Sequence, residues 1–260
     1  MRSVLAIAGS DPSGGAGIQA DLKTYAALGL YGMAAITALT AQNTVGVTGV
    51  HVVPAAFVHD QVRTVVEDIR PDAVKTGMLA NAEIALRVAG AARQYGFRNL
   101  VVDPVMVAKS GDTLVTEDAV RAICAGLIPL ATVVTPNLPE AAAIVGHPVE
   151  SLDDMREAAS EIHALGAANV VVKGGHLPGD LLTDILFDGD RFHEFSAPRV
   201  QTRNTHGTGC TFSSAIAAYL ALDETVPEAV RKAKDYLAGA LRHAYDTGRG
   251  HGSVNHMWRA

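Results

Sequence analysis

Little in this chain of 260 residues suits it to a disulfide scaffold, a nucleic acid or a bilayer. It has two cysteines, Cys124 and Cys210, far apart and without C-x-x-C spacing. That argues against a disulfide framework or a zinc site and fits a reducing cytoplasm. Lys and Arg number 21 against 27 Asp and Glu, a net charge of −6, and no basic run occurs. Nucleic acid and anionic membrane are thereby poor partners, although a local site on an acidic protein can still bind a small anion. No apolar run approaches the roughly 18 residues that a membrane helix needs. Val4 to Ala8 has the look of a signal peptide with an A-x-A end, but it is too short and leads into a structured motif. Linkers, repeats and low-complexity stretches are missing too, so residues 1–260 are expected to form one domain.

What is present is a 48% hydrophobic chain with 18% charged residues, enough for a sizeable core. Short apolar runs alternate with helical periodicity. Strands are expected at 4–9, 33–41, 72–75, 99–102, 131–135 and 168–173, and helices at 18–28, 54–69, 81–95, 117–127, 153–165, 211–222 and 227–246. In the second helix Phe57, Val58, Val62, Val65, Val66 and Ile69 recur near helical spacing. Cys124 falls among the apolar positions of the fourth and is expected in the core. Residues 182–186 and 191–195 alternate around Asp188-Gly189-Asp190 and predict a hairpin. Repeated β–α units imply a largely parallel sheet covered by helices on both faces, with the hairpin as an antiparallel edge.

Two nucleotide motifs are nearly matched near the first strand, and neither holds. Gly9 to Gly14 has Walker A spacing, but Gly15-Ala16 follows where Lys-Ser/Thr is required. Gly15-Ala16-Gly17-Ile18-Gln19-Ala20 fits G-x-G-x-x-A, yet the second strand ends in Gln42-Asn43-Thr44 without the acid that a dinucleotide ribose needs. These glycines are read instead as allowing close approach of a small substrate.

The stretch Asn204-Thr205-His206-Gly207-Thr208-Gly209-Cys210-Thr211 organises the chain. Its glycines open a helix whose first N–H groups lack intrahelical partners and carry the positive end of the dipole. This is a plausible cradle for a transferring phosphoryl group. Cys210 lies in the first turn, where a thiol's pKa is expected to fall; the plainer alternative is a loop capping a core helix. Gln42, Asp103, Asn137 and Lys173 all fall at or just after strand ends, which share one edge in a parallel sheet. Gln42 offers a donor beside an acceptor, matching an aminopyrimidine edge, or else bonds its own turn. Asp103 suits Mg²⁺ or a turn. Lys173 suits phosphates or reaches solvent. Asn137 with Glu140 also fits a capping pair. Asp21 on position alone reads as a solvated helix acid, and His251 and His256 as solvated loop histidines.

The segments Ala8–Asp21, Thr40–Thr44, Lys75-Thr76-Gly77-Met78, Val102–Met106, Thr135–Glu140, Lys173–His176 and His206–Cys210, in this order over essentially the whole chain, resemble the hydroxymethylpyrimidine and hydroxymethylpyrimidine-phosphate kinases of thiamine biosynthesis. The resemblance implies a ribokinase-like three-layer α/β/α sandwich. It also implies MgATP-dependent transfer to a hydroxymethyl group and then to the resulting phosphate. By similarity, Gln42 would read the pyrimidine, with Asp21, Met78 and Val105 around it. Asp103 and Glu140 would act around Mg²⁺, Asn137 and Lys173 would meet the ATP phosphates, and Gly207, Thr208, Gly209 and Cys210 would form the anion hole, Cys210 serving as base. A homodimer is a further implication. The rival reading within the superfamily is a pyridoxal kinase; outside it, a nucleotide sensor without turnover.

Overall fold

The computed structural model describes residues 1–106 and 115–259. The strands are β1 (Ser3–Ser10), β2 (Tyr31–Gln42), β3 (Val47–Val52), β4 (Ala73–Thr76), β5 (Leu100–Val102), β6 (Val133–Val134), β7 (Val170–Val172), β8 (Leu181–Phe187) and β9 (Phe192–Pro198). The helices are α1 (Gly17–Ala27), α2 (Ala55–Asp68), α3 (Ala82–Tyr95), α4 (Glu117–Gly126), α5 (Leu138–Val145), α6 (Leu152–Ala164), α7 (Thr208–Ala221) and α8 (Val226–Arg242). One 9-stranded sheet runs in the order β3-β2-β1-β4-β5-β6-β7-β8-β9. From β2 to β7 neighbouring strands are parallel; β3 at one side and β8 with β9 at the other are antiparallel. The mostly parallel sheet with an antiparallel edge is the expected one.

Side-chain alternation along the strands divides the core in two. Leu5, Ile7, Leu100, Val102, Val170 and Val172 pack under α2 to α6. Val4, Ala6, Ala8, Val101 and Val171 pack under α1, α7 and α8. This is the three-layer sandwich. In α2 the buried stripe is Val58, Val62 and Val66, four residues apart. Phe57 and Ile69, expected with them, lie off that stripe and are exposed. Cys124 packs at the margin of the core rather than inside it.

Three elements depart from expectation. β3 was not foreseen. Its side chains are largely exposed, so it carries no alternating pattern, and its pairing with β2 forms an antiparallel arm. The helix expected from residue 211 begins at Thr208, because Gly207, with φ 80°, is its N-cap. His256, expected in solvent, is buried.

The segment after α8 explains that burial. His206 donates its N–H to the Gly252 carbonyl at 3.0 Å, and the two stretches bridge again at Ser253. Tyr236 donates its hydroxyl to the His256 carbonyl at 2.6 Å. The Trp258 ring lies over Gly239, where a Cβ would stand 2.0 Å from it. Thr211 gives its one hydroxyl hydrogen to the Gly207 carbonyl at 2.8 Å, so the His256 Nε2–H donates to Thr211 at 3.0 Å. Among the described residues no helix is long and apolar enough to cross a membrane.

Burial holds the His256 imidazole neutral, with its pKa down from 6.5 to about 4, and Lys23 adds to the effect. The folded pKa lies below the unfolded one. This contribution to stability is therefore complete above 6.5 and is lost as pH falls toward about 4. Urea melts of the wild type at about pH 7.5 and about pH 5 should show a drop that His256→Gln, itself less stable at the higher pH, largely lacks. An equal drop in both proteins would contradict this.

Candidate active site

The C-terminal ends of β1, β2, β4, β5, β6 and β7 leave the sheet on one side; Gln42 ends β2, and Met78, Asp103, Val105, Asn137, Glu140 and Lys173 follow β4, β5, β6 and β7. The helices α1 and α7 then lie side by side against that edge. At their N-terminal ends the turns that lead into them meet backbone to backbone. A Cβ on Gly207 would stand 1.8 Å from the Gly15 carbonyl oxygen, and one on Gly17, with φ 55°, 2.4 Å from that of Gly9. Only glycine allows both the approach and the left-handed φ. His206 Nε2 meets Asp11 Oδ2 at 2.8 Å beside this contact. Asp11 also accepts from the N–H groups of Ser13, Gly15 and Ala16. Burial works against its charge, but these bonds, led by that from His206, hold the carboxyl below its usual range. Asp11 therefore fixes both glycine turns.

At the start of α7 the first intrahelical bond is donated by Thr211 to Gly207 at 2.8 Å. The Gly209 and Cys210 N–H groups stand ahead of it, at the positive end of the helix. A Cβ at Gly209 would be 3.6 Å from the Lys173 ammonium and 4.0 Å from Asp103 Oδ2, so the turn faces a charged cluster. There Asp103 Oδ1 accepts from Lys173 at 3.0 Å and from Thr135 at 3.1 Å, and Oδ2 from Ser213 at 3.2 Å. Burial opposes the Asp103 charge, but Lys173 and then Lys75 outweigh it and lower its pKa. Lys173 stays protonated because Asp103 and Glu140 outweigh its own burial.

Glu140 stands 3.9 Å from the same ammonium. Burial pushes its carboxyl up to about 7, with Lys173 opposing and Asp103 adding to the shift. The spacing of Asn137 and Glu140 does form a capping box: Asn137 Oδ1 accepts from Glu140 N at 2.9 Å and Glu140 Oε2 from Asn137 N at 2.8 Å. The cap leaves Glu140 Oε1 to other partners. The two carboxylates, Asp103 and Glu140, converge on the Lys173 ammonium, at 3.0 and 3.9 Å; as oxygen donors only, they fit Mg²⁺, which is held by one or two carboxylates when phosphates supply the rest. Among the described residues no cluster of three or more His, Cys, Asp or Glu forms a cage.

Apolar residues make the other wall. Met78 and Met106 are buried in a cluster with Ala38 and Ala80, and Val105 packs against it. Met78 Sδ is 3.1 Å from where Gly9 would carry a Cβ. Gln42 is half-buried at the end of β2, with its side-chain amide 3.1 Å from the Thr40 hydroxyl. Thr40 donates to the Ser10 carbonyl at 2.9 Å, and Ser10 bridges Gly17. Contacts in series thus join Gln42 to the seam at α1.

Cys210 corrects one expectation. Its thiol is not lowered but pushed up to about 11, chiefly by burial, with Asp21 and Asp103 adding and Lys75 opposing. The Gly17 N–H bonded to it also opposes. A helix terminus supplies only about 0.3–1 kcal/mol, which desolvation exceeds here. Asp21 is no solvated acid. It is wholly buried, with Lys75 Nζ at 3.0 and 3.1 Å from its two oxygens and Ser214 donating at 2.7 Å. A contact to a bound ring would have to replace one of these partners. Sequence reasoning gave Lys75, His206 and Asp11 no role. For Lys75 the available signal was a lysine within a short strand, where Lys173 only follows one.

The phosphomethylpyrimidine kinase family profile matches residues 11–255. Bacillus subtilis hydroxymethylpyrimidine/phosphomethylpyrimidine kinase is 47% identical over 99% of this chain and 95% of its own length. The thiamine biosynthesis bifunctional protein ThiED of Geobacter sulfurreducens is 55% identical over 99% of the chain, which spans 53% of that longer protein. The solved pyridoxal kinase of Staphylococcus aureus in complex with pyridoxal superposes with a TM-score of 0.93 at 39% identity, over 100% of this chain and 94% of that one. With its glycine turn, its strand-tip charges and relatives of this identity along its full length, the chain belongs to the phosphomethylpyrimidine kinase family, on a ribokinase-like fold.

Proposed function

We propose that the chain transfers the γ-phosphoryl group of ATP to the hydroxymethyl group of 4-amino-5-hydroxymethyl-2-methylpyrimidine, and then a second to the resulting monophosphate, in thiamine biosynthesis. The observation that carries this reading is the meeting of the α7 glycine turn with Lys173 and Asp103 on one side and the Gly15–Gly17 turn on the other. The names of the relatives at 47% and 55% identity support the substrate.

Phosphoryl transfer is mostly positioning and charge stabilisation. Gly209 and Cys210 N–H groups, with Gly207 and Thr208 shaping the turn, hold the transferring oxygens. Lys173 meets the phosphates as a point charge, and Asn137 keeps Glu140 oriented beside it. Asp103 and Glu140 would hold Mg²⁺, which neutralises phosphate charge when bound with ATP. The pyrimidine lies against Met78 and Val105 with Gln42 at its amino edge. The alcohol oxygen attacks the γ-phosphorus, the bond to the bridging oxygen breaks, ADP leaves, and the alcohol proton passes to the Cys210 thiolate. The second acceptor is already an anion and needs no such base.

Both cysteines are free, in keeping with a cytoplasmic enzyme. A homodimer is supported by Leu39, Val45, Val50 and Val52, all exposed on or beside the β2–β3 arm; a monomer in sedimentation equilibrium at micromolar concentration would remove it. A second reading, pyridoxal as acceptor, is favoured by the structural likeness to a kinase bound to pyridoxal. Product analysis after mixing the protein with MgATP and each alcohol separately tests both. Mono- and diphosphate from the pyrimidine are expected, and turnover of pyridoxal alone would overturn the proposal.

Because the Cys210 thiol is held near about 11, the first transfer should accelerate from neutral pH toward that value, where the second is flat. Cys210→Ala should slow the first by about a hundredfold or more and leave the second within a few-fold. Equal loss in both steps would rule the base out. Gln42→Leu should weaken pyrimidine binding about tenfold or more and leave ATP binding nearly intact, as calorimetry with each ligand can decide.

A further inference from the structure

Lys75 has no solvent-exposed surface. It sits in β4 one residue before the strand's end, under the seam of α1 and α7, and its ammonium bonds both oxygens of Asp21 at 3.0 and 3.1 Å. A buried ammonium is costly even when paired, and a neutral pair of the same volume often serves stability as well. Packing alone does not account for it.

Its location does. Two contacts cross the seam in step. The Cys210 sulfur accepts from the Gly17 N–H, and four residues further along each helix Ser214 donates to Asp21 at 2.7 Å. Four residues are about one helical turn, about 5–6 Å. The Lys75–Asp21 pair therefore lies one turn below the sulfur, on the same face. A Cβ on Gly77 would be 2.9 Å from the Lys75 ammonium and 3.0 Å from Ala8, so the lysine is confined from above and cannot swing away. The Tyr25 hydroxyl lies 3.3 Å from that of Ser214 and closes the pocket from the α1 side.

We propose that Lys75 is a positioning residue for Cys210: its fixed ammonium is the counter-charge for the thiolate, and Asp21 with Ser214 holds it in place and offsets part of its field. The charged and titratable groups around the sulfur are Lys75 from β4, Asp21 and Tyr25 from α1, Asp103 after β5 and Lys173 after β7. Burial works against the Lys75 charge, but Asp21, and behind it Cys210 and Asp103, keep the lysine protonated. Of the groups acting on the thiol, Lys75 is the strongest after burial itself, ahead of Asp21. Removing both partners should therefore leave the thiolate harder to form, and removing Asp21 alone should leave it easier. The link to the first phosphoryl transfer rests on the function proposed above; the effect on the sulfur does not.

The test reads the sulfur directly. Iodoacetamide alkylation of Cys210 is followed by peptide mass spectrometry from about pH 7 to about pH 11, without substrates, with Cys124 as reference because burial alone raises its pKa. Lys75→Met/Asp21→Asn, a neutral pair of similar volume, should slow Cys210 alkylation at fixed pH by about tenfold or more relative to Cys124. Asp21→Asn alone should speed it by a similar factor. These opposite signs are what a purely structural role would not produce. If the double variant fails to fold, the sign of the Asp21→Asn change still decides. Rates unchanged relative to Cys124, or moving the same way in both variants, would overturn the proposal. Alkylation as expected from a protein that phosphorylates no pyrimidine would sink the function and leave the charge assignment standing.

Discussion

Two backbones meet here with no room for a side chain between them: Gly207 lies against the carbonyl of Gly15. Everything that bears on phosphoryl chemistry follows from that approach. It brings the start of α7 against the start of α1, so the Cys210 sulfur reaches the Gly17 N–H and Ser214 reaches Asp21. His206 and Asp11 clasp the two turns together. Without the approach the first N–H groups of α7 would point past Lys173 and Asp103 rather than toward the same space.

The sheet supplies the other half of the arrangement. β5, β6 and β7 are only two or three residues long, and each hands its next residues directly to the site: Asp103, Thr135 with Asn137, and Lys173. A strand of apolar residues buried on both faces most readily puts a charge at its end, and Lys75, inside β4, needs the buried Asp21 as partner. Lys173 and Asp103 neutralise one another at the strand ends, while burial and the like charge of Asp103 raise the pKa of Glu140 beside them.

How much was legible in the residues can be judged case by case. The β–α alternation, the hairpin edge and the strand-tip positions were read from periodicity, because parallel strands and amphipathic helices impose it. The β2–β3 arm was not, since exposed strands need no pattern. Phe57 fits the hydrophobic count of α2 but lies one residue, about a quarter turn, off its buried stripe. Asp21 looked solvated because position along a helix does not reveal a lysine arriving from another strand. For Cys210 the local cue, a helix terminus, was present and was outweighed by burial from distant elements. His256 was misjudged for the same reason: its surroundings come from α7 and α8, not from its glycine-rich neighbours in the chain. The capping box of Asn137 and Glu140 was legible in full, because a cap is local.

The stretch from Gly252 to Trp258 carries one more meaning. It fastens His206, Thr211 and Tyr236 from behind, although most of the sheet is built from residues far earlier. During synthesis the ribosome releases the sheet and both glycine turns before this brace emerges. The strands and both glycine turns are thus made ahead of the contacts that hold His206 and Thr211 at the start of α7.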